Sequence, residues 1–169
     1  MKALAQFVEV AGYVELGLCA AAVVVGAILW ARGIAPVLYR LGNGLAHRKI
    51  AIFAAGDNLS SLRALVAETT LFKESNIVGV ASARDIDDAE DATVFLVFWA
   101  DWAGEIEAIL ALKGRRCPLI VYQPYALGRI PDDAMARLDA QRHTTVANFR
   151  GRLLNDLLTS IMTTSYAKR

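Results

Sequence analysis

Apolar positions change rhythm along this chain, and the change divides it. From Leu16 to Ala31 sixteen residues pass without a charge, bracketed by the aromatic residues Tyr13 and Trp30. The apolar side chains run all round a helix and leave no polar face of the kind an interfacial helix needs. A spanning helix takes about 20 residues, a length reached when Tyr13 and Val14 are included with Glu15 near the boundary. A membrane anchor is therefore expected; a buried hairpin helix is the alternative. A cleaved signal peptide fits less well, because the run starts late and no small-x-small site follows it cleanly.

From Lys49 the pattern becomes short apolar runs alternating with helical periodicity. Lys49 to Ala55 predicts a strand broken by Gly56-Asp57-Asn58, and Ser60 to Phe72 a helix with Leu62, Leu65, Val66 and Thr69 on one face. Asn76 to Ala81 predicts a second strand. The acidic run Arg84 to Asp91 is expected to form a solvated turn or one helical turn. Thr93 to Trp99 predicts a third strand, the most apolar and so the central one, which leads to Asp101 and Trp102 at its end. A helix over Ala103 to Lys113, a strand over Pro118 to Gln123, a turn-rich loop from Pro124 to Pro131 and a helix starting at Pro131 follow. Thr144 to Asn148 predicts a fifth strand. In the last helix Leu153, Leu154, Leu157, Leu158, Ile161 and Met162 recur at three and four.

Five strands separated by crossover-length helical segments imply an α/β fold with a five-stranded parallel sheet in three layers, preceded by one transmembrane helix. The expected organisation is an anchor over 1–34, a juxtamembrane stalk over 35–48 and a Rossmann-like domain over 49–169. Pro36, Gly42 and Gly44 predict a kinked, amphipathic stalk with Leu38, Tyr39 and Leu41 available to the interface.

Composition adds the location. Hydrophobic residues make up 56% of the 169, with mean hydropathy +0.39, and much of that excess is N-terminal. Residues 1–49 carry five Lys/Arg against two Glu, and residues 50–169 thirteen Lys/Arg against fifteen Asp/Glu. Arg32, Arg40, Arg48 and Lys49 follow the span and only Lys2 precedes it, so the positive-inside rule places the C-terminal domain in the cytoplasm, a single-pass arrangement in a bacterial cell membrane. The near-neutral domain argues against nucleic acid as a partner. Gly17 with Ala21 and Ala22 with Gly26 are small pairs four apart, which suit a homo-oligomer through residues 12–30. Glu9 and Glu15 are expected at the headgroups. Cys19 and Cys117 are expected to be reduced packing residues.

Candidate chemistry falls at strand ends, where open α/β sheets bind ligands. Asp57 and Asn58, Ser82 and Arg84, Asp101 and Trp102, Gln123 and Tyr125, and Asn148, Arg150 and Arg152 share the C-terminal edge of the predicted sheet. Trp102 and Tyr125 are the candidates for stacking on a base, with Phe98 and Trp99 read as core. Arg150 and Arg152 open the last helix, where free N–H groups favour an anion such as a nucleotide phosphate. The alternative is that Asn148 caps the helix while the arginines pair with Asp101, Asp156 or the acidic loop. His47 and His143 assemble neither a triad nor a zinc site, and no metal site is expected.

The run KIAIFAAGDN, then FLVFWADWAGEIEAIL, then CPLIVYQPYALGRIP, resembles the order of elements in TIR and TIR-like domains. That resemblance implies a helix glutamate that cleaves NAD, with Glu105, and less so Glu107, as the candidate. The chain is also similar to response-regulator receiver domains, with Asp57 and Asp101 at the ends of strands one and three. Phosphoacceptor chemistry needs more acid, a hydroxyl and a lysine, and the chain offers Asp57 alone, Gln123 and Asn148 in those places, so aspartyl phosphorylation is not expected. The expectation is a membrane-anchored signalling or antiviral defence protein, built as small bacterial defence effectors are. Its cytoplasmic domain binds a nucleotide-like ligand or a protein partner. The alternatives are a membrane-tethered NAD-cleaving enzyme and a non-catalytic assembly module.

Overall fold

The computed structural model describes residues 2–69 and 71–164 and divides the chain into two compact units, Met1–Gly42 and Asn43–Arg169. Among the residues named above, Thr70 and the side chains of Lys2, Glu9, Val14, Leu38, Tyr39, Arg40 and Leu41 lie outside the described residues.

Helix α1 (Lys2–His47) is continuous. Its stretch Glu15–Pro36, 22 residues with mean hydropathy 2.0, is apolar enough to cross a membrane, and none of it is buried within the protein. The same helix runs through Pro36 and over the expected stalk to His47. Proline removes one backbone donor, and in an apolar setting continued helix is the local way to satisfy all the others.

The second unit is a parallel sheet of β1 (Ile50–Phe53), β2 (Ile77–Val80), β3 (Val94–Phe98), β4 (Leu119–Tyr122) and β5 (Thr144–Ala147) in the order β2-β1-β3-β4-β5. The period-2 pattern sorts its side chains into two cores. Ala51, Phe53, Phe95, Val97, Leu119 and Val121 face α4 (Ile106–Leu112) and α5 (Asp132–Asp139). Ile50, Ile52, Val94, Leu96, Ile120 and Tyr122 face α2 (Gly56–Ala67) and α6 (Arg150–Thr163). On β2, a Cβ at Gly79 would sit 3.3 Å from both methyls of Leu59, so the missing side chain is what lets α2 lie close to this edge strand.

Several boundaries differ from expectation for local reasons. Helix α2 starts at Gly56, earlier than expected, because Gly56 takes φ +51 and turns the chain straight off β1. The third strand stops at Phe98, and Trp99–Trp102 winds into a helical turn, α3. The acidic run forms a longer 3₁₀ segment, Ala83–Ala89, held by buried Ala89 and by the Ser82 hydroxyl donating to Asp85 (2.8 Å). On α6 the apolar stripe is Leu153, Leu157 and Ile161; Met162, expected on it, is 63% exposed. Burial at the end of α4 pushes the Lys113 pKa below its usual value, with Cys117 acting in the opposite sense.

Arg48 lies one residue beyond α1 and is 2% exposed. Its guanidinium donates to the Thr164 hydroxyl (3.0 Å) and to the Thr164 carbonyl. The Thr164 hydroxyl in turn donates to the Ser160 carbonyl (2.8 Å). A cation thus closes the C-terminal end of α6, where helix carbonyls lack partners and the dipole is negative. The sequence pattern presents Arg48 only as a charge flanking the span; the folded domain uses it as a buried cap.

Candidate functional site

In this strand order the chain winds away from β1 on one side and from β3 on the other, so the topological switch point lies between them. Four of the expected site residues gather there. Helical turn α3 carries Asp101 over the end of β1, where its carboxylate accepts from the Ala55 N–H (2.8 Å) and from the Asn58 side-chain amide (3.1 and 3.2 Å). This clasp joins the start of α2 to the end of β3. Asp57 stands exposed in the first turn of α2, where its charge suits the helix dipole.

Trp102, expected as a stacking surface, is 2% exposed and meets Phe53 edge-on with centroids 5.4 Å apart. The helical turn rotates its ring inward, so it is core. Phe98 and Trp99 are core as expected, Phe98 meeting Tyr122 edge-on at 5.7 Å. Asp101 and Asn58 therefore hold the switch point together. Replacing Asp101 with alanine will cost about 2 kcal/mol, because two donors lose a charged acceptor. The Asp101→Ala denaturation midpoint measures this, and an unchanged midpoint would show the clasp to be dispensable.

A different group converges at the ends of β4 and β5. Gln123 follows β4 and donates its backbone N–H to the Ala147 carbonyl (3.0 Å), which fixes it beside Asn148 at the end of β5. Together with Tyr125, Gly128, Arg129, Ile130, Asp132, Met135 and Val146 they line a cleft of about 250 Å³. A smaller recess of about 70 Å³ shares Val146 and Asn148 and adds Ala147, Phe149, Arg152 and Asp156.

Within the larger cleft the Gln123 amide nitrogen donates to the Leu127 carbonyl (3.0 Å) and the Gly128 carbonyl (3.3 Å), where the loop reverses with Gly128 at φ +87. The Gln123 Oε1 is shielded from solvent and makes no hydrogen bond among the described residues. A buried acceptor in that state costs about 1–3 kcal/mol until a donor reaches it.

The arginines are spread out. Arg150 donates to the Ser61 carbonyl of α2 (3.0 Å), while Arg152 pairs with Asp156 one turn on (3.6 Å) and remains largely exposed. Helix α6 has Phe149, not Asn148, at its N-cap and no side-chain cap bond. Glu105 ends the short 3₁₀ turn after α3 and lines neither cleft. Glu107 pairs with Arg137 (2.8 Å), which also holds Asp133 (3.0 Å), so it ties α4 to α5. Ser82 is used within the acidic segment and Arg84 is exposed. Among the described residues no three His, Cys, Asp or Glu side chains gather where a metal could be held.

Sequence reasoning named Gln123, Tyr125 and Asn148 but not the remaining walls. Their signal was the loop Gln123 to Asp132, whose Pro124, Gly128 and Pro131 turn it back over the strand ends.

The fold and the cleft define an α/β protein with a doubly wound parallel sheet and an apolar helix of spanning length. No family model, curated protein or solved structure gives a significant match to this chain.

Proposed function

We infer that this chain is a membrane-anchored ligand-binding protein: helix α1 spans the bilayer, the sheet domain lies in the cytoplasm, and the cleft at the ends of β4 and β5 takes a small ligand. The observation that carries this reading is the cleft of about 250 Å³ at which the ends of the neighbouring strands β4 and β5 bring Gln123, Tyr125 and Asn148 together. The span and the flanking basic residues support the anchor and its orientation. The role that follows is that of a sensor or effector in signalling or defence, with α1 self-associating through its small residues. Binding is favoured over the NAD cleavage that a TIR-like reading implies, because Glu105 is absent from the cleft and Glu107 is engaged by Arg137.

The test is a thermal-shift screen of the full chain in nanodiscs against polar metabolites. At least one compound will raise the melting temperature of the wild type. It will fail to do so for Met135→Trp, which fills the cleft, and for Asn148→Leu, which removes an exposed amide from its wall. Compounds that stabilise wild type and both variants alike, or no stabilising compound at all, would remove the cleft from the protein's function.

A further inference from the structure

We propose that the edge of the sheet at which β4 and β5 begin is a membrane-docking surface, where Arg115, Arg116 and Arg142 receive the headgroups of anionic lipids. This rests on the preceding reading that α1 spans the bilayer with the sheet domain on its cytoplasmic side, and it adds a second attachment between domain and membrane.

The surface is built from two turns. After α4 the Cys117 N–H donates to the Gly114 carbonyl (3.0 Å), closing a turn whose two central residues are Arg115 and Arg116, both exposed. Such turns favour Gly, Pro, Asn, Asp and Ser, so backbone geometry does not account for two arginines there. After α5 the chain enters β5 through Arg142 and His143, both exposed, with His143 in the left-handed region at φ +58. Two hydrogen bonds fasten one turn to the other: the half-buried Lys113 donates from Nζ to the Arg142 carbonyl (2.7 Å), and the Leu119 N–H donates to the His143 carbonyl (2.9 Å). Three guanidinium groups are thus carried on one braced edge.

Their charge is uncompensated. Arg63, Arg137 and Arg152 each pair with a carboxylate, whereas Arg115, Arg116 and Arg142 make no ion pair among the described residues. The loops 113–118 and 140–143 contain Lys113, Arg115, Arg116 and Arg142 and no acid; the nearest acid in the chain, Asp139, closes α5. On the other side of the same edge the charges are already matched, Lys49 with Asp91 and Arg63 with Glu74.

Chain connectivity selects the partner. β1 begins at Ile50, three residues after α1 ends at His47, so the helix joins the domain at this same edge. From Pro36, where the apolar span ends, the helix to His47 rises about 17 Å. The headgroup layer takes up about 5–7 Å of that. The starts of β1, β3, β4 and β5 follow one another at a spacing of about 4.8 Å, so the arginines lie a few strand spacings from the tether. An anionic leaflet attracts basic groups over about a Debye length, some 8 Å at physiological salt. A guanidinium also meets a phosphodiester with two parallel hydrogen bonds. The tether keeps a lipid surface within reach at all times, whereas an acidic protein has to arrive by diffusion. Docked by this edge, the domain turns its opposite edge, with the cleft, toward the aqueous side.

The experiment places the full chain in nanodiscs of phosphatidylcholine, alone or mixed with phosphatidylglycerol, and follows hydrogen exchange. Amides of residues 114–117 and 141–144 will exchange at least about tenfold more slowly in the anionic discs, and added salt will remove the difference. Arg142→Gln will lose part of that protection and the Arg115→Gln, Arg116→Gln double variant nearly all of it, at about fivefold for each charge removed. Unchanged exchange in β3 will show that the variants remain folded. Equal exchange of the wild type in both discs would overturn the proposal and leave these arginines to an acidic protein. Protection that none of the substitutions reduces would overturn it too, as would protection that inorganic phosphate reproduces in phosphatidylcholine discs. A chain that enters neither disc would refute the spanning helix itself, an outcome separate from entry into both without a difference in exchange.

Discussion

Phe53→Ala will destabilise the sheet domain by about 3–5 kcal/mol, the cost typical of deleting a buried aromatic ring. Phe53 is fully buried at the end of β1, where its ring meets Phe95 edge-on at 5.2 Å and Trp102 edge-on at 5.4 Å. Removing it opens a cavity at the centre of one core and takes away the surface against which the turn after β3 folds Trp102 inward. Phe53→Leu will cost less, since it refills most of the volume without the aromatic edges. Denaturant unfolding of the full chain in detergent, followed by tryptophan fluorescence, measures both. A loss below about 1 kcal/mol for the alanine variant would mean that the core collapses around the gap and the ring is not what positions Trp102.

Arg48→Ala will be nearly as damaging, at about 3 kcal/mol, because it empties a buried guanidinium site and leaves the terminal carbonyl of α6 without its donor. For a domain of this size that corresponds to a fall of about 10 °C in melting temperature. The charge alone is not enough: Arg48→Lys keeps a cation at the helix end but cannot reach both oxygens of Thr164 with a planar fork, so it will recover only part of the loss. Hydrogen exchange locates the effect, since amides in the last turn of α6 should lose protection in the alanine variant before those of β3 do. Unchanged protection there would show that Arg48 does not cap the helix.

The third strand was legible because eight consecutive apolar, β-branched or aromatic residues leave few options but a doubly buried position. The direction taken by the residues after it was not, since a helical turn at Trp99–Trp102 decides that Trp102 enters the core while Asp101 crosses to β1. Gln123, Tyr125 and Asn148 could be named because they follow predicted strands. That they share one cleft depends on β4 and β5 being neighbours, a fact of strand order.

By itself the sequence determined the apolar helix of spanning length, the α/β class and the faces of most helices, because these follow from local periodicity and from the burial it demands. Only the tertiary structure decided the strand order β2-β1-β3-β4-β5, and with it the placing of the switch point and the cleft. Only it turned Arg48 from a flanking charge into a cap on α6, a partner 116 residues away. It also set Gln123 beside Asn148 on one cleft wall, through the bond from the Gln123 backbone N–H to the Ala147 carbonyl. The physical reason is common to all three: hydrogen-bond partners distant in sequence carry no periodic signal along the chain, and a polar side chain shows what it does only once its neighbours in space are known.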